Sequence, residues 1–210
     1  MEVYLVRHGQ TDGNVGRRHQ HPGTKLNELG RAQAAAAAER LAIFKPTHII
    51  TSTNIRAIET ASIIANVCDV IPETYVPFEE LHQPKSMVGE RLAGLHAIAY
   101  MAKWFTGIPS ASMHDGETYT AFVVRLALAR QHLEALPKNS RVVIVSHSVF
   151  INFFVEHMRR PSRMGLTRAG FRLFHILTLK NSSITHVRYE ILQPKHRGTG
   201  WHLVRGKFIN

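Results

Sequence analysis

Three short apolar runs in this chain each break off into a polar tip. Val3-Tyr4-Leu5-Val6 runs into Arg7-His8-Gly9-Gln10-Thr11, His48-Ile49-Ile50 into Thr51-Ser52-Thr53, and Val142-Val143-Ile144-Val145 into Ser146-His147-Ser148. Between the first two, the alanine-rich stretch 28–44 predicts a helix that starts at an Asn27 N-cap and stops before Pro46, and a second helix is predicted over about 54–67. Strand alternating with helix predicts a parallel sheet covered by helices on its faces. Such sheets bind ligands at the carboxyl ends of their strands, so tips of Arg-His, Ser-Thr and Ser-His predict convergence on one small anion. A phosphoryl group is the natural candidate.

The rest of the chain is read around that sheet. Residues 12–25, punctuated by Gly13, Gly16, Pro22 and Gly23, predict a long polar loop. Residues 70–78 read as extended. A polar turn around Pro84 and a helix over 90–105 then form a cap segment, 80–114, over the site. Asp115-Gly116-Glu117-Thr118 opens a long helix with Phe122, Leu126, Leu133 and Leu136 on its apolar face, and Pro137-Lys138-Asn139 ends it. A helix is predicted over 149–157 and a basic loop after it. Residues 173–179 and 184–190 read as the arms of a hairpin around 180–183, with a last strand at 201–204. One domain over 1–210 is expected, because no Pro/Gly/Ser linker divides the chain.

Composition narrows the class of partner. Residues 157–210 hold eleven Lys/Arg against one acid, Glu190, and so carry +10 of the formal +11. A solvated basic face explains this more economically than a polyanionic partner, so nucleic acid is not expected. The single cysteine, Cys68, excludes an intramolecular disulfide and is expected as a buried thiol; its usage fits a cytoplasmic protein. The longest apolar run, 149–155, is too short to span a bilayer, so no membrane partner is expected.

Among the polar tips, His8 is the candidate nucleophile: a neutral imidazole can attack phosphorus and hold the phosphoryl group until water removes it. Phosphoryl transfer otherwise depends on fixed positive donors around the equatorial oxygens. Arg7 supplies one fork. Arg56, in the first turn of the helix after Ser52-Thr53, supplies a second, and a protonated His147 would donate from the start of another helix. Asn14 adds a neutral donor from the first loop.

Arg7-His8-Gly9, then Ser52-Thr53-Asn54-Ile55-Arg56-Ala57-Ile58-Glu59-Thr60-Ala61, then Ser146-His147, together resemble the histidine phosphatase superfamily, also called phosphoglycerate mutase-like. Leu26-Asn27-Glu28-Leu29-Gly30-Arg31 looks like the start of that family's first helix, and Gly116-Glu117-Thr118 like the opening of its long one. The resemblance implies a three-layer α/β/α sandwich around a mostly parallel sheet. It also implies that His8 carries a phosphohistidine, that Arg7, Arg56 and His147 hold the phosphate, and that a carboxylate protonates the leaving oxygen. Glu80, before Leu81, occupies the acid position; its neighbour Glu79 is the rival. Departures from the family pattern lie where the substrate would be read. His82-Gln83-Pro84-Lys85-Ser86 follows the acid, Gly13 stands where Trp is frequent, and Arg17-Arg18-His19-Gln20-His21 stands where Arg-x-Gln-Gly is usual. Arg18 is placed to meet a second anionic group.

The expected activity is hydrolysis of a small phosphorylated substrate, a phosphomonoester, without cofactor or metal. The histidines are scattered, no His-x-x-Glu-His or paired-Cys spacing occurs, and two arginines can supply the charge. A phosphoglycerate mutase-type phosphotransferase and a non-catalytic phosphate- or nucleic-acid-binding module are the alternatives. Oligomeric state is left open.

Overall fold

The computed structural model describes residues 1–106, 115–161, 179–190 and 199–204. Its strands are β1 (Glu2–Arg7), β2 (His48–Thr51), β3 (Pro72–Thr74), β4 (Arg141–Ser146), β5 (Ile184–Tyr189) and β6 (Trp201–Leu203). Its helices are α1 (Asp12–Val15), α2 (Glu28–Ala42), α3 (Ile55–Cys68), α4 (Leu95–Trp104), α5 (Tyr119–Ala135) and α6 (Ser148–Arg159).

The six strands form one sheet in the order β3-β2-β4-β1-β5-β6. The first four run parallel; β5 is antiparallel to β1 and to β6. Alternation along the central strands divides the core into two layers. Val3, Leu5, Val142 and Ile144 face Phe122 and Leu126 of α5 and Phe150 and Phe154 of α6, with Tyr100 and Trp104 of α4 closing that side. Tyr4, Val6, Val143 and Val145 face Ala37, Ala38 and Leu41 of α2 and Ala57, Ala61 and Ile64 of α3. The expected α/β/α sandwich with a mostly parallel sheet is therefore the observed fold. Burying each such Val, Leu, Ile or Phe contributes roughly 1.5–3 kcal/mol.

Local chemistry explains where elements differ from expectation. The first loop opens with a helical turn, α1, because Thr11 and Asn14 make a reciprocal capping box. The 70–78 segment is extended only at β3 and then tightens into a 3-10 turn at Val76–Phe78 around Pro77. The helix expected over 90–105 starts at Leu95: Gly89 takes a positive φ of 85°, and residues 17–19 pair through their backbone with residues 89–92. Thr118 is the N-cap of α5, so Asp115, Gly116 and Glu117 stay outside the helix. Cys68 ends α3 half-buried, less enclosed than expected. The hairpin's first arm, the basic loop after α6 and the cap's last residues fall on 162–178 and 107–114, outside the described residues. No described helix is long and apolar enough to cross a membrane.

One close approach locks the site loop to the sheet's helical layer. A Cβ on Gly30 would lie 2.0 Å from the Gln10 carbonyl oxygen, and one on Gly9 would lie 2.3 Å from the Gly30 oxygen. Only glycine at both positions lets α2 pack directly on the chain leaving β1.

Candidate active site

Pairing of β1 with β4 sets Arg7 opposite Ser146, and the His8 amide donates to the Ser146 carbonyl at 2.9 Å. The two histidines that follow these strands thereby meet, their ring centroids 5.1 Å apart. His8 Nδ1 donates to the Gly9 carbonyl at 2.7 Å, which places the proton on Nδ1 and leaves the Nε2 lone pair free to act. That lone pair accepts from Arg56 Nε at 3.2 Å. Burial, then the charges of Arg56 and Arg7, hold the His8 imidazole well below its ordinary 6.5, so it is neutral at physiological pH.

Helix α3 reads both sides of the His8-Gly9 step from one face. Arg56 reaches His8, and one turn later Thr60 Oγ1 accepts the Gly9 amide at 3.1 Å and donates to the Arg56 carbonyl at 2.7 Å. Burial lowers the Arg56 guanidinium to about 10, opposed by the charge of Glu80, so it stays protonated. Arg7 donates through Nη1 to the Leu179 carbonyl, while its Nε is buried without a hydrogen-bond partner.

His147 is the N-cap residue of α6 and is oriented from the tip of β2. Its Nε2 accepts from Ser52 Oγ at 2.8 Å and from Asn54 Nδ2 at 3.3 Å. Since Asn54 Nδ2 can only donate, the proton sits on Nδ1, which is buried and has no partner. Burial, then the charges of Arg56, His8 and Arg7, push this imidazole well below 6.5. The expectation of a protonated His147 is therefore corrected: besides burial, Arg56, His8, Arg7 and Arg125 all oppose a further proton. The neutral ring still presents an N–H. Arg7 Nε and His147 Nδ1 are thus two buried donors without acceptors, the condition an incoming oxyanion relieves.

The two acids separate cleanly. Glu80 projects onto the N-terminus of α6, where Oε2 accepts the Val149 amide at 3.1 Å and Oε1 the Phe150 amide at 2.9 Å; Oε1 also accepts the Leu81 amide at 3.0 Å. Its charge is felt by both Arg7 and Arg56. Glu79 turns to Thr53 Oγ1 and to His82 Nε2, the latter at 2.6 Å, and the His82 bond holds its carboxyl below the usual range.

Asn14 is near His8 but committed to structure. Its Oδ1 accepts the Thr11 amide at 3.2 Å and Asn181 Nδ2 at 3.1 Å, and the same Asn181 amide donates to the His8 carbonyl at 3.0 Å. Arg18 is not brought into the set: its exposed guanidinium donates to the Gly89 carbonyl at 2.6 Å, at the joint of the first loop and the cap. Sequence reasoning missed Asn181, and it missed Ser52 and Asn54 as partners of His147. The polar turn before β5, at the same sheet end as the other tips, was the available signal for Asn181. No group of three His, Cys, Asp or Glu that could hold a metal occurs among the described residues.

The family profile of the histidine phosphatase superfamily (branch 1) matches residues 3–200. The chain belongs to this superfamily. Among curated relatives, it is 34% identical over 197 residues to a probable phosphoglycerate mutase GpmB of Photorhabdus laumondii, covering 90% of this chain and 86% of that one. It is 32% identical over 167 residues to phosphoglycerate mutase-like protein 4 of Arabidopsis thaliana, covering 77% and 73%. Among solved structures, a mycobacterial glucosyl-3-phosphoglycerate phosphatase in complex with VO3 superposes with a TM-score of 0.73 at 26% identity over 97% of both chains. A phosphoserine phosphatase of Entamoeba histolytica shares the fold, with a TM-score of 0.75 at 21% identity over 97% of this chain and 94% of that one.

Proposed function

We propose that this histidine phosphatase superfamily member hydrolyses a small phosphomonoester through a phosphohistidine on Nε2 of His8. The observation that carries the reading is the state of His8. It is neutral, its proton is fixed on Nδ1 by the Gly9 carbonyl, and its free nitrogen faces a guanidinium. In the first step Nε2 attacks phosphorus while the P–O bond to the alcohol breaks, and the leaving oxygen takes a proton from Glu80. Arg7, Arg56 and the Nδ1–H of His147 hold the equatorial oxygens as their charge is redistributed. In the second step water attacks the phosphohistidine and gives its proton back to Glu80, restoring His8 and releasing phosphate. The three amides that meet Glu80 fix the direction of its carboxyl group through this cycle. Asn14 acts on the site only through Asn181, which holds the His8 carbonyl, and Arg18, spent on the Gly89 carbonyl, is given no substrate contact.

The names of the curated relatives favour a second reading, a phosphoglycerate mutase that returns the phosphoryl group to its substrate. Turnover of a panel of phosphoesters, including 3-phosphoglycerate, with and without added bisphosphoglycerate, decides between them. Phosphate release independent of bisphosphoglycerate supports the hydrolase; isomerisation without phosphate release supports the mutase. Rapid quench with labelled substrate should trap an acid-labile, base-stable adduct that His8→Ala abolishes.

A further inference from the structure

We propose that Arg125 and Glu117 are positioning residues for the proton donor, a buried ion pair that fixes where Glu80 stands; this rests on the hydrolase reading. Arg125 donates from Nε to Glu117 Oε1 at 2.8 Å and from Nη2 to Oε2 at 2.7 Å, a bidentate contact with both side chains nearly inaccessible to solvent. Its remaining bonds go to the main chain of the acid segment: Nη1 to the carbonyls of Pro77 at 3.1 Å and Glu79 at 2.6 Å, and Nη2 to the carbonyl of Glu80 at 3.1 Å. All five guanidinium N–H donors are thereby used, three of them on main-chain carbonyls of residues 77–80, two of these on the peptide units that flank Glu80.

Glu117 completes the grip on the far side. Its amide donates to the His82 carbonyl at 2.7 Å, its Oε2 accepts the His82 amide at 3.2 Å, and the single Oη–H of Tyr100 lies between the carbonyls of Glu117 at 2.9 Å and His82 at 3.2 Å. Ser146 Oγ, at the tip of β4, takes the Phe78 carbonyl at 2.6 Å. Residues 79–84 follow a 3-10 turn and lie in neither strand nor helix, so no ladder sets their course. The clamp supplies what secondary structure does not. A buried ion pair contributes little net stability relative to packed apolar residues, and the face of α5 that carries Arg125 is otherwise filled by Phe122, Leu126, Ala129 and Leu133. The cost of burying this charge is explained by the geometry it imposes: a general acid must stand within hydrogen-bond reach of the leaving oxygen.

The test compares Glu117→Gln, which keeps the side chain's shape, and Arg125→Lys, which keeps the charge but loses the fork, on an alkyl phosphate and on p-nitrophenyl phosphate. Loss of acid positioning lowers kcat for the alkyl ester by about tenfold or more, and lowers it by less than about threefold for the aryl ester, whose leaving group needs little protonation. KM should stay within about twofold for both. Adding Glu80→Gln to Glu117→Gln should deepen the alkyl loss no further than Glu80→Gln alone, since the two act as one unit. If Arg125→Lys fails to fold, Glu117→Gln decides; Tyr100→Phe, which removes a single hydroxyl from the clamp, provides a milder variant expected to shift the ratio in the same direction. Equal losses on both esters, or fully additive effects with Glu80→Gln, overturn the positioning role while leaving the hydrolase reading intact. Wild-type protein that forms no phosphohistidine and turns over neither ester overturns the hydrolase reading itself, and the positioning role with it.

Discussion

Arg56 donates its Nε–H to Nε2 of His8 across 3.2 Å, so the atom proposed to attack phosphorus is already hydrogen-bonded to the cation proposed to hold the phosphate. A bound phosphoryl group must replace that contact, taking the lone pair of one residue and the donor of the other together.

The first consequence is spectroscopic. His8 and His147 are neutral in the free protein well below pH 6.5, so their imidazole NMR signals, assigned with His8→Ala and His147→Ala, should not titrate between pH 8 and 6. Removing the neighbouring charge in Arg56→Ala should raise the His8 midpoint toward 6.5. A wild-type midpoint near 6.5 would contradict the assignment of His8 as a ready nucleophile.

The second concerns rate. Arg56→Ala should lose on the order of a hundredfold in kcat, with kcat/KM falling in parallel, because its contacts strengthen in the transition state. Lysine restores the charge without the fork and should recover only part of that loss. Wild-type kinetics in Arg56→Ala would remove it from the catalytic set.

A third prediction separates the two acids. Glu80→Gln should slow alkyl phosphates far more than p-nitrophenyl phosphate, by on the order of a hundredfold against a few-fold, since only the alkoxide needs its proton. Glu79→Gln, whose carboxyl is tied to Thr53 and His82, should leave that ratio nearly unchanged. The reverse pattern would transfer the acid role to Glu79.

Buried histidines also set the acid stability. His157 is held down to about 4 by burial and by Arg130, and His8 and His147 are shifted in the same direction. Folded pKa values below the unfolded 6.5 mean that the unfolded chain takes up protons first. Stability is thus complete above about pH 6.5 and falls as pH drops from there toward 4. Thermal unfolding at pH 5 should come on the order of 5 °C below that at pH 7.5. His157→Gln should narrow that difference, and an unchanged gap would mean His157 is charged in the fold.

The Gly30 contact makes a structural prediction. Gly30→Ala must displace the Gln10 backbone and should cost about 2 kcal/mol or more, with a fall in activity because residues 9 and 10 follow the nucleophile. Gly16→Ala, whose Cβ would meet nothing nearer than the Asp12 carbonyl oxygen at 3.5 Å, should be nearly silent in the same denaturant titration.

The strand tips were legible because a strand's end and a helix's start are local events: Arg7-His8, Ser52 and Ser146-His147 each follow an apolar run, and the parallel sheet brings such ends to one edge. Arg56 was legible for the same reason, one turn into the helix that follows. What holds these groups was not. Gly9 against Gly30, Asn181 on the His8 carbonyl, and Arg125 on residues 77–80 are contacts between distant segments, and no local periodicity encodes their pairing. Arg125 did leave a trace, as an arginine on the otherwise apolar face of α5. Asn14 and Arg18 were chosen by residue type, and their partners turned out to be Asn181 and Gly89.

The central place of β1 has a consequence for how the protein is made. Its Glu2 pairs with Arg141 on one side and with Arg188 on the other, so the segment carrying Arg7 and His8 leaves the ribosome long before either neighbouring strand exists. The helices α2 and α3 can form meanwhile, but His8 has no sheet to stand in. Such distant pairing slows folding and leaves an apolar strand waiting, a natural substrate for chaperones during synthesis. His8 therefore meets His147 only after β4 has been made and has closed on β1.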